Sequence, residues 1–211
     1  MGLIAEYSVD ATPGNRFTEI YDADAYLDDA AAMDAARQQV VAGNGYHLYL
    51  HSLQADIPVR ITIRIWDAPP PCPPPDAEGS TTVTIESATG NLVINQLTYG
   101  PAGAMDLPRA GFYEGFSWWT GRQAMRDYYD TVLSQLADSG RGAQLPNNWR
   151  HTQNTERYFL DLMWVREPQS LDDDRPQPWL AGDGADGPGT AGGHPEAPGR
   201  RSVRLDRRVP Q

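Results

Sequence analysis

The chain has no lysine; all 17 of its basic residues are arginine. It has one cysteine, Cys72, and no apolar run near the ~20 residues that a membrane-spanning helix needs. Each absence removes a class of function. With no lysine and no glycine-rich loop leading to one, there is no phosphate cradle of the P-loop type. A lone cysteine cannot form an intrachain disulfide, so a cytoplasmic setting is the expectation. The first ten residues, MGLIAEYSVD, lack the basic region and long apolar core of a signal peptide. Glu6 stands where a myristoylation signal carries Ser or Thr. Arginine as the sole strong base, with abundant Ala, Gly, Pro and Asp, points to a GC-rich bacterial coding sequence.

Basic charge is also short. The net charge is -11, and residues 1–170 carry 21 acids against 11 arginines. Phosphate contacts need a basic face, which argues against direct binding of DNA or RNA. A basic protein would be attracted, although the same charge also serves solubility. The acids gather early: Asp22, Asp24, Asp28, Asp29 and Asp34 follow Glu19 within 16 residues.

Beyond residue 168 aliphatic periodicity fades. The stretch DDDRPQPWLAGDGADGPGTAGGHPEAPG is rich in Gly, Pro, Ala and Asp, and it ends in the basic RRSVRLDRR. Such a segment buries too little apolar surface to offset its ordering entropy. The expected organisation is a folded domain over 1–168 and a disordered tail over 169–211.

Within 1–168 the dominant pattern is alternation. YHLYLHS sets Leu48 and Leu50 against His47, Tyr49 and His51; RITIRIWD sets Ile61, Ile63 and Ile65 against Arg60, Thr62, Arg64 and Trp66. TTVTIES and LVINQLTY flank the turn signal ATGN, so 81–98 reads as a hairpin. Stretches 111–119 and 156–165 follow, with weaker candidates at 3–9 and 16–22. About eight strands at this spacing predict a mainly β fold, an antiparallel β-sandwich. PPPCPPP, 69–75, is an extended connection between two strands. In GRQAMRDYYDTVLSQLADSG, Met125, Tyr128, Tyr129, Val132, Leu133 and Leu136 recur at helical spacing, predicting one amphipathic helix over 122–138. The Ala-rich DADAYLDDAAAMDAARQQ, 22–39, fits either a helix or a partly helical loop.

Catalytic patterns are incomplete. Ser117 in GFSWW lacks the second glycine of a nucleophile elbow, since Trp119 stands there. Cys72 has prolines on both sides and no nearby cation to lower its pKa. His47 and His51 are four apart; on a strand that is about 13 Å, too far for one zinc. DADAYLDD lacks the order of an EF-hand loop. Glu114 and Asp161 interrupt two aromatic-rich strands and could form a hydrolytic carboxylate pair if both line an open cleft; pairing with arginine is the plainer account. No catalytic residue, metal or cofactor is assigned.

Three stretches together resemble a known family: GNGYHLYLHSLQADIPVRITIRIWD, then VTIESATGNLVINQL, then LPRAGFYEGFSWW with Leu107, Pro108, Gly111 and Tyr113 at its entry. This pattern resembles the ComJ family of competence proteins, over about 41–165. The later part, GFYEGFSWWTGR and TERYFLDLMWVRE, is also similar to a group of uncharacterised actinobacterial proteins. The family implies a small β-sandwich and a role as inhibitor of a partner nuclease, and brings no catalytic residues. The stretch 122–150, with its long helix and GAQLPNNWRHTQN, departs from it.

The resemblance implies a register. Tyr113, Gly115, Ser117 and Trp119 face inward; Phe112, Glu114, Phe116 and Trp118 face outward. Tyr158, Leu160, Leu162 and Trp164 face the core, with Phe159, Asp161, Met163 and Val165 on the other side. A sheet apolar on both faces needs cover on both. The expected cover is the 122–138 helix, with Met125, Tyr129, Val132, Leu133 and Leu136 over Phe116, Trp118, Phe159 and Met163. The alternative leaves Phe116, Trp118 and Trp149 partly exposed as a binding patch.

The expected function is a non-enzymatic protein-interaction module, an inhibitor or immunity-type partner of a basic protein such as a nuclease. Its candidate binding residues are Phe116, Trp118, Trp149, Phe159, Asp22, Asp24, Asp28 and Asp29. The alternatives are a small-molecule or glycan-binding sandwich using exposed aromatics, and the carboxylate-pair hydrolase. No oligomeric state is assigned.

Overall fold

The computed structural model describes residues 2–138 and 156–169, all within the compact unit Met1–Leu171. The expected tail over 169–211, apart from its first residue, and Trp149 lie outside the described residues. So does the stretch GAQLPNNWRHTQN.

The described residues form a mainly β sandwich of two five-stranded sheets. The first sheet runs β1 (Leu3–Ala11), β5 (Val59–Trp66), β10 (Arg157–Arg166), β9 (Gly111–Thr120), β6 (Gly79–Ser87). The second runs β3 (Val41–Gly43), β4 (His47–His51), β2 (Phe17–Asp22), β7 (Asn91–Asn95), β8 (Pro101–Asp106). All pairings are antiparallel except β10 on β5.

Alternation decides which side chains meet between the sheets. Ile61, Ile63 and Ile65 of β5, Tyr158, Leu160 and Leu162 of β10, and Tyr113 and Trp119 of β9 point inward. They join Ile20, Leu48, Leu50, Leu92 and Ile94 from the other sheet in one buried cluster. The inward register expected for the two aromatic strands holds, with Trp164 partly buried at the margin.

The predicted 81–98 hairpin is corrected. β6 and β7 lie in different sheets, so ATGN turns a corner between layers and does not close a hairpin. The β7–β8 pair is the hairpin there, with Gly100 at φ 80° in its turn. The corner is held by Asp22 at the end of β2. Its carboxylate accepts from Ser87 Oγ at 2.5 Å, Thr89 N at 3.0 Å and Thr89 Oγ1 at 2.7 Å.

The Ala-rich segment is half loop and half helix. Helix α1 (Ala30–Gln39) begins where Asp29 accepts from Ala32 N at 3.0 Å, an N-cap that satisfies one free amide of the first turn. Ala32 and Ala36 pack on Phe17 and Tyr49, covering the outer face of the second sheet. Small side chains let the helix lie close to that sheet.

Helix α2 (Arg122–Asp138) forms as predicted, but its placement over the aromatic face is corrected. Glu78 accepts from Gly121 N at 2.8 Å and Arg122 N at 3.0 Å, fixing where the helix starts at the end of β9. From there Arg122 donates to the His51 carbonyl at 2.9 Å, Arg126 to the Leu53 carbonyl at 2.8 Å, and the Tyr129 hydroxyl to Asp56 at 2.6 Å. Met125 and Val132 are buried, whereas Leu133 is 44% exposed. The helix is thus tied to 51–56 at one end of the sandwich, because its arginines find backbone carbonyls there.

Candidate functional site

The outer face of the first sheet carries the aromatic residues picked out in the sequence. Asp161, on β10, is 1% exposed. Its Oδ1 accepts from Arg64 Nε at 2.6 Å and Trp66 Nε1 at 2.9 Å; its Oδ2 accepts from Arg64 Nη2 at 2.6 Å and Trp118 Nε1 at 2.8 Å. Four donors saturate the carboxylate, and the bidentate fork fixes the guanidinium. Trp118 is 8% exposed and stacks on Phe159 with ring centroids 3.9 Å apart and planes 8° from parallel. The Arg64 guanidinium lies 5.2 Å from the Phe159 ring centre, a cation–π contact. Trp118 and Phe159 are therefore part of a locked layer.

Phe116 sits elsewhere on this face. With Met163, Glu114, Gly115, Pro69 and Pro70 it lines an open cavity of about 310 Å³. No residue of α2 borders it. Glu114 is exposed while Asp161 is buried against Arg64, so the two do not share an open cleft. The hydrolytic pair required that cleft, and the structure removes it. Ser117 is fully buried on the inner face.

A second polar cluster lies at the end of the sandwich. Glu156 is buried and accepts from Ser52 Oγ at 2.7 Å and from the Tyr158 hydroxyl. Arg122 Nε is 3.6 Å from Glu156 Oε1. Burial pushes the Glu156 carboxyl up, against the pull of these partners, and it pushes the Tyr158 hydroxyl well up. Nearby His51 packs on Phe17, and burial, with Arg122, Arg37 and Arg16 adding to it, lowers its imidazole to about 4. This network pins 51–56 to the β10 entry.

The four aspartates singled out in the acidic segment have different surroundings. Asp22, fully buried, serves the corner described above. Asp29 caps α1, and its own amide donates to the Tyr49 hydroxyl at 2.9 Å. Asp28 is exposed and accepts from the Tyr49 hydroxyl at 2.9 Å. Burial and the adjoining carboxylates raise the Tyr49 phenol, so it remains a donor. Asp24 is exposed.

Between these acids lie two residues that the sequence reading passed over. Tyr26 is 52% exposed and Leu27 is 49% exposed. Beneath Tyr26 are Tyr21, ring centroids 5.0 Å away, and His47 at 5.2 Å. His47 in turn stacks on Tyr49 at 4.4 Å and lies 3.5 Å from the buried Glu19, which Asn95 also holds at 2.6 Å. An aromatic layer thus lies beneath the platform 23–29, over a buried base in which Glu19 Oε1 and both His47 ring nitrogens have no hydrogen-bond partner. The signal in the sequence was available: two large apolar residues inside a run of acids have no core to join. His47 and His51 lie on one strand, and no group of three or more metal-ligating side chains occurs among the described residues. No helix among the described residues is long and apolar enough to cross a membrane.

No protein-family model and no curated protein sequence matches the chain. Among solved structures it is similar to ComJ, inhibitor of the DNA degrading activity of NucA, from Bacillus subtilis. That similarity has a TM-score of 0.49 and 12% identity, over 78% of this chain and 98% of that one. It is also similar to the crocagin biosynthetic gene J product, with a TM-score of 0.44 and 15% identity over 77% of this chain and 100% of the other. At these identities no functional residue is carried across.

Proposed function

We propose that the protein is an interaction module that binds a basic protein through the 23–29 platform. The observation that carries this reading is the pairing of exposed Tyr26 and Leu27 with exposed Asp24 and Asp28 on one short segment. Exposed aromatic and aliphatic anchors supply contact area, and flanking carboxylates supply steering and register toward a cationic surface. Asp22 and Asp29 act from behind, by holding both ends of the segment. The net charge of -11 adds long-range attraction for the same partner. The motif resemblance noted in the sequence supports a nuclease as the partner class and inhibition as the role.

The test is affinity capture from a lysate of the source organism with the full chain, its Tyr26→Ser/Leu27→Ser variant and its Asp24→Asn/Asp28→Asn variant. Support is a basic protein retained at low salt, released at high salt, and lost with either double variant. A DNA-degrading activity in the released fraction, suppressed when the chain is added back, supports the inhibitor role. A partner retained equally by all three forms sinks the platform, and no basic partner at low salt sinks the reading.

A further inference from the structure

The outer face of the first sheet holds a second feature, independent of the 23–29 platform. One row crosses it from Trp118 on β9 to Phe159 on β10, Thr62 on β5 and Ser8 on β1. The row steps from two large flat rings to two small hydroxyl residues. Thr62 Oγ1 and Ser8 Oγ bond to each other at 2.8 Å and form a polar floor. Because Trp118 covers one face of Phe159, the ring turns its other side toward the step.

The neighbouring row places Arg157 beside Arg60 across the parallel β10–β5 pair. Arg60, Thr62, Arg157 and Phe159 together line a cavity of about 340 Å³. Arg60 is engaged by Asp10 at 2.5 and 2.9 Å. Arg157 is exposed and has no carboxylate partner among the described residues. Asp161 and Arg64 form the next row beyond Phe159 and Thr62 and compensate each other, so among the described residues lining the cavity the charge left without a carboxylate partner is that of Arg157.

We propose that this cavity binds a small organic oxyanion carried on a flat ring. The anionic head, a carboxylate or a phosphate, meets the guanidinium of Arg157, whose planar fork suits either group. The ring lies in the step above Thr62 against the free side of Phe159. The cavity volume lies at the small end of ligand sites, which fits one ring and one anionic group.

Isothermal titration calorimetry of the full chain tests this with benzoate and adenosine monophosphate as the two oxyanion sources. Benzyl alcohol and adenosine are the neutral counterparts, and inorganic phosphate is the bare ion. The expected result is saturable binding of benzoate, adenosine monophosphate or both, at one site per chain, with no binding of the neutral pair. Which of the two binds distinguishes carboxylate from phosphate. Arg157→Ala removes the charge and Thr62→Leu fills the step; each weakens binding by about tenfold or more, with the thermal unfolding of Arg157→Ala unchanged. Three results overturn the proposal: no heat from either ring-bearing anion at millimolar concentration, inorganic phosphate binding as tightly as adenosine monophosphate, or binding that survives both substitutions.

Discussion

The carboxylate of Asp161 and the indole N–H of Trp118 meet at 2.8 Å across the β9–β10 pair, on the outer face of a sheet whose inner face is already core. A strand that is apolar on both sides would ordinarily need a second layer. Here one buried acid, one bidentate arginine and two tryptophan N–H groups turn the outer face into a self-satisfied surface. Asp161→Asn would leave the Arg64 guanidinium without its counter-charge, against aromatic rings. We expect a loss of about 3 kcal/mol in urea unfolding, and a double-mutant cycle with Arg64→Met should recover more than half of it. Additive losses in that cycle would show that the two side chains act separately.

His51 makes stability depend on pH. Its imidazole is lowered from 6.5 to about 4, chiefly by burial and then by Arg122, Arg37 and Arg16. Between those values the unfolded chain binds a proton that the folded chain refuses, so stability falls as pH drops from 6.5 toward 4. The opposite sign applies to Glu156, whose raised carboxyl favours the folded state on the acid side of its own titration. His51→Gln should flatten the fall between pH 6.5 and 4 by on the order of 2 kcal/mol, read from urea midpoints across that range. An unchanged pH profile would place the acid sensitivity in other groups.

Strand alternation made the sandwich legible. Ile61, Ile63 and Ile65, and Leu48 and Leu50, each declare one buried face without reference to any partner strand. The corner at ATGN was not legible, because a turn signal between two alternating runs does not say whether the runs pair. What decides it is Asp22, 67 positions from Thr89, reaching the turn from the end of β2. The position of α2 was hidden for a similar reason: its apolar stripe announces a helix, but Arg122 and Arg126 choose the docking site by finding carbonyls at His51 and Leu53. The proposed 23–29 platform fell between the two. Its acids were plain in the sequence, while the exposure of Tyr26 and Leu27 depends on the aromatic layer beneath them being full.

At Gly115 the backbone of β10 runs close against β9. A Cβ there would collide with the backbone carbonyl oxygen of Asp161 and press on the Cα of Leu162 at 3.1 Å. Neither atom belongs to a flexible side-chain end, so the strands must part. Gly115→Ala should cost about 3 kcal/mol or more and loosen the Asp161 cluster with it. The fluorescence of the buried Trp118 should shift toward that of an exposed indole well below the wild-type unfolding temperature. If Gly115→Ala unfolds at the wild-type midpoint, the close approach is not a feature of the protein in solution.

Asp22 and Asp24 are two residues apart and separate folding from binding. Asp22 is fully buried and bonds Ser87, Thr89 and the Asp24 amide, whose contact is 3.1 Å. Asp22→Ala strips the β6–β7 corner of its anchor and leaves buried donors unmatched, which should cost about 2–4 kcal/mol. Asp24 is exposed, and the hydrogen bond in which it takes part uses its backbone amide. Asp24→Asn should therefore move the unfolding midpoint by less than about 0.5 kcal/mol while weakening capture of a basic partner, most visibly at low salt. Stability measurements paired with salt-dependent capture check both at once. If Asp22→Ala is neutral, the corner is held by something other than its carboxylate. If Asp24→Asn leaves low-salt capture intact, the negative charge at this end of the platform is not what the partner reads.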